Sequence, residues 1–273
     1  MKTGERHAVL PKMVPHGSMG FTLLEILVAL VLGILLTTAV CMLIIDQAKT
    51  HEDHQMNVMM QQNGRAAMAV MANELMLAGY RPSKDEYGTV THATIDKVGV
   101  MYCDDNGGRQ LIEYSYVDSE DRIGACRDNG TRRITLLRDV AAFRMLFAYD
   151  AEDIGSGDNG YGVLETAPGE TRIAWAYSSQ GDGVLDRYFT LNDDGTVQGN
   201  GKNPQPLGSN SVALDRIRAV KIWLLMQSSK RKNKSMAEAD FGVLPGGDVK
   251  GLDKSKYSYR LFTTTVKLRN MYY

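Results

Sequence analysis

From Phe21 to Ile45 the chain is almost continuously apolar; only Thr22, Glu25, Thr37 and Thr38 interrupt it, and Ile26 to Leu36 has no polar side chain. A helix over this run is roughly 35 Å long, enough to span a bilayer core. Beyond Asp46 the pattern becomes periodic. Met56, Met60, Ala67, Met71, Leu75 and Ala78 recur at three- to four-residue steps, with Asn63 breaking the stripe and Gln61, Gln62, Arg65 and Asn73 between. This predicts an amphipathic helix with one face for a core. No Pro occurs between Gln47 and Gly79. Gly79 supplies a stop, and Arg81-Pro82 prevents resumption. The two segments read as one helix over 21–79, membrane-spanning over 21–45 and amphipathic over 46–79, on the order of 90 Å in all. Gly33 and Gly64 are candidate bends. The methionines, at helical spacing, read as core filler.

Residues 80–273 turn strand-like. Val98 to Cys103, Gln110 to Val117 and Arg132 to Leu137 are short runs separated by Asp, Asn and Gly clusters. Ala142 to Tyr149 alternates as a half-buried strand does, and Arg216 to Gln227 follows the same rule. Tyr259 to Leu268 is rich in Thr, Tyr, Phe and Val. Between Ile154 and Asn210 the chain is Gly-, Asp- and Asn-rich, with Arg172 to Tyr177 and Arg187 to Leu191 the ordered-looking parts. That stretch, about 154–210, is expected to be an irregular, surface-exposed loop region. The fold class is therefore α+β: a long amino-terminal helix packed on an antiparallel β-sheet head large enough for its own core.

Charge changes the picture little. The chain holds 31 Lys and Arg against 32 Asp and Glu, a formal net charge of −1. Residues 1–20 carry Lys2, Arg6 and Lys12 against Glu5, so removing them leaves a mildly acidic body, which argues against a general nucleic-acid coat. The basic flank favours a cytoplasmic amino terminus, with the head on the far side of the membrane. An ionised carboxylate at Glu25 costs a few kcal/mol near the start of an apolar helix unless something neutralises it, so the charge is expected to have a use.

Gly20-Phe21-Thr22-Leu23-Leu24-Glu25, after a short polar leader, resembles residue for residue the class III signal of type IV pilins and pseudopilins. The resemblance implies a leader over 1–20, cut by a prepilin peptidase between Gly20 and Phe21, with N-methylation of Phe21. It implies a subunit held in inner-membrane lipid until the assembly platform draws it into a fibre. There Glu25 would pair with the terminal amine of a neighbour, each charge reducing the other's desolvation penalty. Asn73 to Arg81, with its Ala-Gly-Tyr, Arg216 to Leu225, ending in Leu-Leu, and Tyr259 to Asn270, with Thr-Thr and a closing Arg-Asn, resemble segments of PilW-type minor pilins. The expected role is a minor pilin of a type IV pilus, near the fibre tip, partnered by other minor pilins and the major pilin. A J-type pseudopilin of type II secretion shares the signal and a β-rich body, and a tip adhesin or DNA receptor is a third reading.

Cys103 and Cys126 are the two cysteines outside the membrane run, which holds Cys41. In an oxidising, exported compartment such a pair suggests a disulfide, with two buried thiols the alternative. Other candidate chemistry is thin. His51-Glu52-Asp53-His54 has the wrong spacing for a helical zinc motif and reads as a solvated turn. Gly155 to Gly160 matches a dinucleotide Gly pattern by letter but precedes no periodic helix. Asp150, Glu152, Asp153, Asp158, Asp182 and Asp186 fit no calcium-loop spacing. Lys230-Arg231-Lys232-Asn233-Lys234 could grip phosphates, but no aromatic residues interleave it, and a solvated loop is favoured. No nucleophile elbow or phosphate loop is present, and no cofactor or metal is implied.

Overall fold

The uninterrupted helical patterning produces one long helix, α1 (Leu23–Met76), which a turn ends at Gly79, φ +75°. The computed structural model describes residues 21–80, 90–103, 106, 108–127, 132–149, 163–167, 170–192, 197, 199, 201, 203–207, 212–230, 243–247, 249 and 252–268. The chain divides into two compact units, residues 1–49 and 50–273.

In the first unit, α1 is apolar enough to cross a membrane, and its large side chains from Phe21 to Ile45 stand exposed. Its hydroxyls are self-satisfied: Thr37 Oγ1 and Thr38 Oγ1 donate to the Gly33 and Ile34 carbonyls, each at 2.8 Å. Such internal pairing removes most of the cost of a hydroxyl in hydrocarbon.

In the second unit, Met60, Gly64, Ala67, Met71 and Leu75 form the buried face of α1. Gly64 is a point of close approach. A Cβ there would lie 2.5 Å from Phe262 Cε2 and 2.9 Å from Met226 Sδ, so the missing side chain makes room for the sheet.

Five strands form an antiparallel meander: β1 (Val90–Ala93), β2 (Lys97–Cys103), β3 (Arg109–Val117), β4 (Arg122–Arg127) and β5 (Arg132–Leu137). The later strands are β6 (Val140–Tyr149), β7 (Val163–Ala167), β8 (Glu170–Tyr177), β9 (Val184–Leu185), β10 (Arg187–Thr190), β11 (Gln205–Pro206), β12 (Val212–Ala213), β13 (Ile217–Gln227) and β14 (Tyr259–Lys267). They build a second sheet in the order β11-β10-β8-β6-β13-β14, with β7 beside β8, while β9 and β12 pair separately.

Two expectations change here. β6 and β13 are buried on both faces, not half-buried. Phe143, Met145, Phe147, Val220, Ile222 and Leu224 join Met71 and Leu75 of α1 in one core. Ala142, Leu146, Trp223 and Leu225 join Trp175, Phe189, Leu244 and Tyr259 in another. The stretch 154–210 is likewise not simply loop. β8 lies between β6 and β10 in the larger sheet, and Trp175, Leu185 and Phe189 are buried.

The disulfide expected between Cys103 and Cys126 is not formed. Strand β3 lies between them: Cys103 faces Arg109 and Cys126 faces Glu113. Two strand spacings and a four-residue offset put the Cα atoms roughly 16 Å apart, against a limit of about 7 Å for a bridge.

Candidate functional site

The first site is the head of α1. Thr22 precedes the first helical residue, and its Oγ1 accepts the Glu25 backbone N–H at 3.2 Å. The Thr22 carbonyl accepts the N–H groups of Glu25 and Ile26 at 3.1 and 3.2 Å. Thr-x-x-Glu at a helix start is the capping-box pattern, and Glu25 in the first turn complements the positive end of the helix dipole. The letters of the signal therefore also have a local structural use: they start the helix just past Phe21. Phe21 and Glu25 are exposed, and Gly20 lies outside the described residues.

The second site is the other end of α1, where Glu74 sits in the last turn. A carboxylate there opposes the dipole, and that turn has no basic residue to offset it. Glu74 is instead tied to the five-stranded sheet. Arg127 of β4 donates from Nη2 to its Oε1, and the Tyr114 hydroxyl of β3 donates to its Oε2. Tyr114 is fully buried, and burial followed by the adjacent carboxylate pushes its phenol well above the ordinary range. Desolvation opposes the charge on the Arg127 guanidinium, but Tyr114, Glu74 and Tyr102 together hold it more firmly protonated. Sequence reasoning missed this cluster because its members lie 40 and 53 residues apart. A carboxylate at the wrong end of a helix was the available signal.

Glu52 pairs with Lys230 Nζ at 2.9 Å, so the first lysine of the basic run already has an acidic neighbour; residues 231–234 lie outside the described residues. Asp53 is buried, contrary to the solvated turn expected. His51 Nε2 lies 3.0 Å from Gln55 Nε2. Asp182 accepts from Ser178 Oγ at 3.1 Å, and Asp186 accepts from the Ser179 N–H at 2.6 Å. Residues 150–162, with the other acidic positions and the Gly pattern, lie outside the described residues. Among the described residues no three His, Cys, Asp or Glu side chains group as metal ligands.

The family model for the Type IV Pilus-assembly protein W, PilW, matches residues 121–270, more than half of the chain. The chain belongs to this family. The PilW match runs from the turn before β4 to just past β14 and does not include α1, so it stands independently of the apolar segment. PilW-family membership makes the chain a pilus-related protein. A search of curated proteins returns no match. Among solved structures the chain is similar to a type IV-like pilin from Thermus thermophilus, at a TM-score of 0.39 and 15% identity, over 78% of this chain and 98% of that one.

Proposed function

We propose that this PilW-family protein is a minor pilin of a type IV pilus. It is made with a leader over residues 1–20, cut after Gly20 by a prepilin peptidase and N-methylated at Phe21. α1 then holds it in the inner membrane with the head in the periplasm. The assembly platform moves it into the fibre, where it primes assembly near the tip with other minor pilins and the major pilin. Glu25 neutralises the terminal amine of an adjoining subunit, and the role is structural rather than catalytic.

The observation that carries this reading is the PilW match over the head in a chain whose helix α1 is apolar enough to cross a membrane. The Thr22–Glu25 cap supports the assembly role, because it holds the first turn of α1 in one geometry beside the amine that processing creates. Deleting the gene and counting surface pili tests the reading. Loss of piliation and twitching, restored by the unmutated gene, is expected. Unchanged piliation would overturn it.

A further inference from the structure

Among the described residues the two large sheets have five strands with a neighbour on one side only, and four of them carry features that discourage further pairing. β7 has five residues, and its pairing with β8 shifts register between Glu165 and Ala167. β1 has four residues and a register shift between Val90 and His92. β5 carries exposed Arg132 and Arg133, and its pairing with β4 also shifts register. β11 has two residues, one of them Pro206. Shortness, charge, bulges and proline are how natural sheets blunt an edge. β14 has none of these in its interior. It runs nine residues, pairs with β13 one to one without a shift, and carries charge only at Arg260 and Lys267, near its ends.

The register shows which backbone groups face outward. Ser228 N donates to Ser258 O at 2.8 Å and Leu268 N to Arg218 O at 2.8 Å. Both belong to the same set of directly bonded pairs as Ile222 and Thr264. In an antiparallel ladder these bonded pairs alternate with non-bonded ones. The even-numbered residues of β14 thus point N–H and C=O at β13, whereas Leu261, Thr263 and Thr265 point theirs away. No described strand lies on that side. The inward side chains Phe262 and Val266 pack into the core shared with α1.

Building on the pilus-subunit reading, we propose that the open edge of β14 is an assembly interface, which pairs with an extended strand from the head of a different subunit of the same pilus. Outward N–H and C=O groups of three residues supply the main-chain bonds of strand addition. Exposed Arg260 places a cation near one end of the edge, which favours a partner strand carrying a carboxylate there over a second copy of this chain.

Proline tests the edge selectively, because at position 263 or 265 it removes an outward N–H and leaves the bonds to β13 intact. The full chain carrying Thr263→Pro and Thr265→Pro is returned to the deletion strain. Piliation is expected to fall by about tenfold or more, since two main-chain bonds are lost, while melting of the purified chain in detergent stays within about 2 °C of the unmutated protein. Wild-type piliation from this variant would overturn the edge interface, and would leave the pilus-subunit reading standing if the deletion itself abolishes pili. A second arm does not depend on the fold of the proline variant. A benzophenone amino acid in place of Thr265, activated in cells, is expected to yield an adduct that mass spectrometry places in a head strand of another pilus subunit. Adducts only to a second copy of this chain, or none above those from the same probe at Arg133, would overturn the proposal.

Discussion

Replacing Glu74 by Ala removes the acceptor shared by Tyr114 and Arg127 at the end of α1. The Tyr114 hydroxyl is then fully buried without that partner, at a cost of about 1–3 kcal/mol. Arg127 loses a charge-assisted bond, but its side chain is 31% exposed, so water recovers part of that energy and about 1 kcal/mol remains. Its buried Nε has no acceptor among the described residues, which makes further loosening of this guanidinium more costly. Removing a carboxylate from the last helical turn returns roughly 0.3–1 kcal/mol. The net destabilisation is about 1–4 kcal/mol. In a Tyr114→Phe background the orphaned hydroxyl is absent, so Glu74→Ala is expected to cost about 1 kcal/mol less, and the double-mutant cycle reads that coupling. Urea unfolding of the full chain in detergent serves as the assay. It is followed by fluorescence of Trp175 and Trp223, the two tryptophans of the chain, both buried in the second core. A loss below about 0.5 kcal/mol, or a coupling of zero, would refute the clamp.

Other expectations follow from the same geometry. Gly64→Leu forces a side chain against Phe262 and Met226 and is expected to destabilise the head by about 1–3 kcal/mol, read in the same unfolding assay; an unchanged midpoint would show that the helix and sheet are not in contact there. Burial, then Asp118 and Asp121, raise the Tyr116 phenol to about 12, and Tyr114 is raised further. The neutral phenols therefore stabilise the fold fully below the ordinary tyrosine pKa of about 10, and that contribution is lost as pH rises through 10 to about 12 and beyond. Unfolding midpoints should fall over that window, less steeply in Tyr116→Phe; a flat profile would count against the burial of these phenols. Alkylation of the chain denatured without reductant is expected to label both Cys103 and Cys126, and protection of both would restore the disulfide.

The parts of the fold legible in the sequence are those with enough apolar residues, in a run or at regular spacing, to stand out from their polar flanks. α1, β2, β3, β5, β6, β13 and β14 all coincide with apolar runs or stripes. β4 escaped because Gly124 and the flanking Arg122 and Arg127 dilute its alternation, and β1 is too short to show any. β8 and β10 were visible only as islands. Gly and Asp around them suggested a loop, whereas tertiary pairing with β6 sets their place in the sheet. Two-sided burial of β6 was hidden because Ala142, Ala148 and Arg144 soften its apolar run. The motif from Gly20 to Glu25 is legible as letters, and the bond from the Glu25 N–H to Thr22 Oγ1 gives a local structural reason for Thr22. Gly64 was visible as an exception within a helix, but whether a glycine bends a helix or admits a neighbour depends on what lies opposite it. The Glu74 cluster and the open edge of β14 depend on strand neighbours distant in sequence, which periodicity does not encode.

The proposed path of the chain runs from cleavage after Gly20, through anchoring by α1, to incorporation into a pilus through Glu25. Immunoblots of membrane and sheared-pilus fractions test it most directly, comparing the unmutated chain with Gly20→Val and Glu25→Val. The unmutated chain is expected in both fractions, shortened by the 20-residue leader, about 2 kDa. Gly20→Val is expected only in membranes at full length, and Glu25→Val in membranes at the shortened length but depleted from pili. Full-length chain confined to membranes in the unmutated strain, or incorporation of Glu25→Val equal to the unmutated chain, would overturn that path.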